Sequence, residues 1–218
     1  PECSHHRSKG EAAIAKFISI FLPVESRNRQ IISPKELDIY VPGVGVAIEY
    51  CGEYWHGASS IEEERKDRTR HLDKYKACDA AGLRLLTIYE SEWLDRSFVL
   101  KRLIRNVLGK ARGKVMARKC ELEIVGNAEA AAFFDAYHPQ GAAGWGQNYG
   151  LRYKGKLVAC MRFTFGANDR GTSAERVWTL TRYATRISVT GGASRLFTAF
   201  LEEHKPEAVK SFSDNRYF

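Results

Sequence analysis

Ile14, Phe17 and Ile18 recur at helical spacing behind Ser8-Lys9-Gly10-Glu11, whose serine and glutamate stand at capping-box separation. The pattern predicts an amphipathic helix that ends at Pro23. The period then changes: "KELDIYVPGVGVAIEYC" reads as two strands joined at Pro42-Gly43, a β-hairpin. After Gly57 the chain turns polar, and "EEERKDRTRHLDKYKACDAAG" predicts a long charged helix stopped at Gly82. "LRLLTIYE" is an apolar run of strand length, and a strand directly after a helix implies a parallel crossover. Val99, Leu103 and Val107 in "SFVLKRLIRNVLGK" predict a further amphipathic helix.

That α-β-β-α-β-α order predicts a compact α/β domain over residues 1–118. A second unit, residues 119–218, starts at "KCELEIVG". Next come a helix around 128–137, a Gly-rich loop from Gly141 to Gly150, and a hairpin "LRYKGKLVACMRFTF" turning at Gly155. A strand near "RVWTLTRYA", a helix after Gly191-Gly192 and a strand "AVKSFS" complete it. There are no internal repeats or low-complexity tracts.

A chain of 218 residues fits one large or two small domains. No apolar run approaches the roughly 20 residues needed to cross a bilayer, so no membrane partner is expected. The net charge is +8, with 21 Lys/Arg against 16 Asp/Glu in residues 1–118 and 13 against 10 in residues 119–218. Basic character in both halves favours a polyanionic partner. Five scattered cysteines, an odd number, read as reduced thiols in a cytoplasmic setting. Cys3, His5 and His6 read either as part of a zinc-ligand set, with a structural Zn²⁺ near Cys3 if residues upstream complete it, or equally as a frayed polar terminus. The chain begins with Pro and reads as a piece of a longer or processed protein.

Asp38 lies mid-strand, where an unpaired buried charge is costly. Glu49 lies on the neighbouring hairpin strand, on the same face as Cys51 by alternation. Two carboxylates converging from adjacent strands suit a hard divalent cation such as Mg²⁺; surface salt bridges are the competing explanation. His56, just past the strand end, has the chemistry of a general base or acid near neutral pH. His71, Lys74 and Tyr75 share one helix face at i, i+3, i+4, and for Lys74 a solvated face is the plainer expectation.

"SKGE…ELDIYVPGVGVAIEYCGEYWHG…HLDKYKACDAAGLRLLTIYESEW" resembles the very-short-patch-repair-like endonucleases. These form a branch of the PD-(D/E)XK superfamily, also called EDxHD nucleases, found in phage homing-type endonucleases. The likeness runs from about Ser8 to Trp93. It implies a restriction-endonuclease-like core with a mixed sheet. Asp38 and Glu49 match the family's metal-binding acids, with the main-chain carbonyl of Tyr50 as a further ligand. Glu11 matches the first-helix glutamate, and its capping role explains it equally well. His56 matches the catalytic histidine, and His71 sits near the last catalytic position. The superfamily's lysine position falls on Cys51, leaving His56, His71 or Lys74 to take over its duty.

The second unit resembles the GNAT acyltransferase fold, with "RISVTGGASRLF" similar to its pyrophosphate-cradling loop. Arg152, Arg162, Arg182 and Arg186, with Trp145, Trp178 and Tyr183, are candidates to grip DNA. For Trp145 and Trp178 a place in the core is the stronger expectation. The combined expectation is a Mg²⁺-dependent DNA endonuclease of phage or mobile-element type, in which Mn²⁺ substitutes. It acts on double-stranded DNA in the cytoplasm of a bacterial host, as monomer or homodimer. The alternatives are a DNA-modifying acyltransferase-like protein and a catalytically inactive DNA-binding protein.

Overall fold

A computed structural model describes residues 8–52, 61–166, 177–214 and 216, with the backbone alone for residues 61–68. The chain is mixed α/β, with two mixed or antiparallel sheets and a short parallel ribbon. It divides into two compact units, Pro1–Lys101 with Asp214–Phe218, and Arg102–Ser213.

In the first unit, helix α1 (Lys9–Ser19) starts where the sequence predicts, with the Glu11 amide donating to Ser8 Oγ at 3.1 Å. Ile14 and Ile18 are fully buried. The short, mostly exposed strand β1 (Glu25–Asn28) carries no periodic signal in the sequence; it pairs antiparallel with β2 (Leu37–Val41). A 3₁₀ turn at Pro42–Val44 ends on Gly45 in left-handed backbone, and the chain returns as β3 (Val46–Cys51), antiparallel to β2. The expected hairpin is therefore present. Helix α2 (Ile61–Ala80) then crosses over, and β4 (Arg84–Tyr89) lies parallel to β3 from Val46–Arg84 to Cys51–Tyr89. Gly82 stops α2 in left-handed backbone, and the Leu83 amide reaches back to the Cys78 carbonyl at 2.8 Å. The sheet order is β1-β2-β3-β4. On the outer side of β4, the Thr87 amide donates to the Arg216 carbonyl at 2.9 Å, and Arg216 pairs with Glu92 at 2.8 Å.

Helix α3 (Glu90–Val107) begins earlier than its apolar repeat suggests, with a non-helical kink at Arg96. The division between units falls inside α3 rather than at residue 118, and residues 102–118 group with the second unit. The reason is local pairing: β5 (Lys114–Met116) lies parallel to β10 (Ser188–Thr190), and the Ser188 amide donates to the Gly113 carbonyl.

The second unit carries β6 (Glu121–Ile124), α4 (Asn127–Tyr137), β7 (Gln147–Tyr153), β8 (Lys156–Phe165), β9 (Val177–Thr185), α5 (Gly192–His204) and β11 (Ala208–Ser211). Its sheet runs β11-β9-β8-β7-β6, antiparallel except for the β9–β11 pair. One side of the sheet packs Tyr149, Phe163 and Phe200 together, with Phe163 and Phe200 stacked at 3.7 Å; Val125, Phe133 and Phe134 form a second cluster. Among the described residues no helix is long and apolar enough to cross a membrane. Cys51, Cys78, Cys120 and Cys160 are free thiols.

Candidate active site

The burial of β2 alternates strictly, with Leu37, Ile39 and Val41 buried and Asp38 and Tyr40 half-buried. Ile39 pairs with Ile48, so the next step outward brings Asp38 opposite Glu49. Antiparallel alternation sets both side chains on one face. The Tyr50 amide donates to Asp38 Oδ2 at 2.9 Å, which fixes that carboxylate where the β2–β3 ladder stops.

The third member comes from α2. Lys74 donates to Glu49 Oε2 and stands 3.9 Å from Asp38 Oδ1, with its side chain 12% exposed against 17% for Glu49 and 21% for Asp38. Lys74 therefore faces the sheet rather than solvent, which corrects the plainer expectation for it. Cys78, one turn further along α2, is fully buried against Ala47 and Leu85 and holds the helix on the sheet. Burial, then the neighbouring Asp38 charge, push the Glu49 carboxyl up to about 7, against the opposing pull of Lys74. Cys51, two residues along β3, has its thiol pushed up to about 12 by burial and by the Glu49 and Asp38 charges.

Tyr50 alternates to the other side, where its hydroxyl donates to Glu90 Oε1 at 3.2 Å. The α carbon of Gly10 lies against this ring, leaving no room for a β carbon. Glu11 follows Gly10 on α1, half-buried, and His71 lies one turn before Lys74 on α2, also half-buried. His56 and the Cys3 cluster lie outside the described residues.

Among the described residues no group of three or more His, Cys, Asp and Glu side chains is arranged to hold a metal ion. The Asp38–Glu49 pair is compatible with Mg²⁺, which takes one or two protein carboxylates and keeps several waters. Two carboxylates held together with little water also present a charge that a dication relieves. The same pair does not suit Zn²⁺, which prefers nitrogen and sulfur donors in a closed tetrahedron.

In the second unit three of the four arginines proposed for DNA engage their guanidinium groups within the fold. Arg162 is 1% exposed; its Nε donates to Asn148 Oδ1 at 2.6 Å, and its Nη1 donates to the Ala143 and Gly144 carbonyls. Arg152 pairs with Glu123 and Glu129, and Arg182 donates to the Gly141 and Thr181 carbonyls. A guanidinium engaged in this way has less left for a phosphate, most of all at Arg162, which is buried, while Arg152 and Arg182 are half-buried. Arg186 is half-buried, and its carbonyl accepts from Arg102. Trp178 packs on Phe165, Phe200 and His204 as expected of a core residue, but Trp145 is 83% exposed.

Sequence reasoning had no route to Arg162 as a core residue except its place in the apolar run of β8. No protein-family model matches the chain, and no curated protein or solved structure matches it either.

Proposed function

We propose that the chain is a metal-dependent DNA endonuclease of the very-short-patch-repair-like branch of the PD-(D/E)XK superfamily. The observation that carries the reading is the convergence of Asp38, Glu49 and Lys74 where β2 and β3 stop pairing. An acidic pair with a lysine is the constellation that the superfamily resemblance implies, with the lysine here drawn from α2 instead of the Cys51 position. The same convergence weakens the catalytically inactive reading, because the missing cation has a substitute.

Asp38 and Glu49, with the Tyr50 carbonyl, would hold Mg²⁺. The ion, when bound, supplies Lewis-acid stabilisation of charge on a phosphodiester and lowers the pKa of water. Asp38 is kept in place by the Tyr50 amide, so the site is oriented before substrate arrives. Lys74 balances the carboxylates in the absence of the ion, and with substrate bound its ammonium is placed to meet phosphate charge. His56 and His71 are the residues assigned to proton transfer. Double-stranded DNA is the substrate, and the cytoplasm of a bacterial host is the compartment that follows from the reading.

For the second unit the β11-β9-β8-β7-β6 order, with its parallel β9–β11 pair and a helix entered through Gly191-Gly192, supports a GNAT-like fold. Acyl transfer has less support. The strand leading into that turn is paired with β5, and Ala117 lies against Gly191. Calorimetry with acetyl-CoA separates the alternatives: tight binding would favour acyl transfer.

The main reading is tested with Asp38→Ala. Mg²⁺-dependent plasmid cleavage, absent in EDTA, is expected to vanish while DNA binding persists. Wild-type cleavage by a clean preparation of that variant overturns the assignment.

A further inference from the structure

With Arg152, Arg162 and Arg182 committed inside the second unit, the DNA-gripping charge must be sought elsewhere. Residues 96–120 hold nine Lys/Arg and no Asp or Glu, an imbalance unmatched in a chain whose overall excess is +8. Part of this charge is used within the fold. Arg102 donates to the Thr185 and Arg186 carbonyls and lies over the Tyr137 ring. Lys101 sits over the Phe17 and Trp93 rings.

The remainder is different. Lys110, Arg112, Lys114, Arg118 and Lys119 are all exposed, and among the described residues none has an acidic partner at ion-pair distance. The backbone that carries them is tied to the fold from Gly113 onward. Gly113 turns the chain in left-handed backbone, with the Ile187 side chain 3.3 Å from where a β carbon would stand. Strand β5 pairs with β10 and buries Val115 between the outward Lys114 and Met116. Behind Arg118, Arg195 donates to the Ala117 and Cys120 carbonyls and braces the 3₁₀ turn.

A shallow groove of about 680 Å³ opens beside this ribbon. Arg118, Arg195, Thr190, Ser194 and Thr198 line it together with the apolar Met116 and Leu122, and Glu202 is its acid. A run of exposed cations with no acidic partner among the described residues, beside a concave surface that includes Thr190, Ser194 and Thr198, is what a phosphodiester backbone engages.

We propose that the ribbon from Lys110 to Lys119 is the surface by which the second unit binds the phosphate backbone of duplex DNA. This rests on the endonuclease reading for the choice of DNA among polyanions. Charge carried on a segment with a paired strand at Lys114 and a 3₁₀ turn at Arg118 and Lys119 gives a sequence-independent grip, leaving selectivity to base-reading groups elsewhere.

The test is fluorescence anisotropy of the full chain with a labelled 30-base-pair duplex in EDTA, over a series of NaCl concentrations. The variant carries Lys110→Ala, Arg112→Ala, Lys114→Ala, Arg118→Ala and Lys119→Ala. A Lys154→Ala, Lys156→Ala, Lys210→Ala variant controls for removal of charge elsewhere. The ribbon variant is expected to weaken binding at least tenfold at about 100 mM salt. Its log Kd–log salt slope should shrink by about 0.9 for each phosphate that is no longer neutralised. The control should stay within about twofold, and a matching melt would show that both variants fold. A smaller pair, Arg112→Ala with Lys114→Ala, should weaken binding by an intermediate amount.

Wild-type affinity and slope in a folded ribbon variant overturn the surface while leaving the endonuclease reading standing. Failure of the wild-type chain to bind DNA overturns both. Stronger competition by duplex RNA or by anionic phospholipid vesicles than by DNA overturns the choice of partner.

Discussion

Lys74 on α2 donates to the carboxylate of Glu49 on β3, 25 residues away in sequence, and stands 3.9 Å from Asp38 Oδ1 on β2. One ammonium thus serves two carboxylates from adjacent strands, and this relation shapes the expected behaviour of the metal-free protein.

Removing that ammonium should separate its structural part from its catalytic part. At pH 8 and above, where Glu49 is ionised, Lys74→Met leaves Asp38 and Glu49 facing each other uncompensated, and should cost about 3 kcal/mol of stability in EDTA. Mn²⁺ should bind the variant more tightly than wild type, since no cation competes for the carboxylates, while cleavage falls. Denaturant melts, calorimetric Mn²⁺ titration and a plasmid assay read the three effects. Unaltered stability together with unaltered Mn²⁺ affinity would falsify the role given to Lys74.

Glu49 makes stability depend on pH. Its carboxyl holds a proton up to about 7 in the folded chain against 4.5 for the reference group. Between those values the native state binds more protons than the unfolded one, so this contribution is lost as pH rises through the window. Glu49→Gln lacks the titration. In EDTA its unfolding free energy should be close to wild type near pH 5 and pull ahead by pH 8, by an amount on the order of 3 kcal/mol at most. A difference that stays constant from pH 5 to 8 would show that Glu49 does not titrate in this way.

Gly10→Ala tests how α1 supports the site. Helix propensity alone favours alanine by about 1 kcal/mol. The added methyl, however, meets the Tyr50 ring, whose amide holds Asp38 and whose hydroxyl donates to Glu90. Overpacking should win, with a net loss of about 1–3 kcal/mol and weaker Mn²⁺ binding. A stabilised variant with normal metal affinity would place α1 further from the ring.

Arg162→Ala should behave as a core lesion of the second unit. It removes the donor for Asn148 and for two main-chain carbonyls, and the cation stacked over the Phe134 ring at 5.1 Å. Unsatisfied buried acceptors make a loss of about 3 kcal/mol or more the expected outcome. The fraction that remains folded should bind DNA with normal salt dependence. Retained stability with a reduced salt slope would return Arg162 to the interface.

Part of the fold was legible because short-range patterning decides it. Alternation along "ELDIYV" matches the alternating burial of β2, and Gly82 stops α2 where its left-handed backbone is needed. The carboxylate pair was legible for the same reason, since two strands joined by a tight turn must bring Asp38 and Glu49 together. Strands β1, β5 and β10 were not. At three or four residues they show no usable period, and β5 and β10 exist because each pairs with the other across more than 70 positions.

The sequence by itself determined the elements with strong local signals, the turns at Gly82 and Gly155, and the shared face of Asp38 and Glu49. Tertiary structure decided which charges are used. Lys74, on a helix charged along most of its length, is turned to the site because Cys78 anchors that helix to Ala47 and Leu85. Arg162, on a strand buried along most of its length, is consumed by the core, while the cations from Lys110 to Lys119 stay outside. A side chain's charge is a property of the residue, but its availability depends on what the fold packs around it, and local sequence does not carry that.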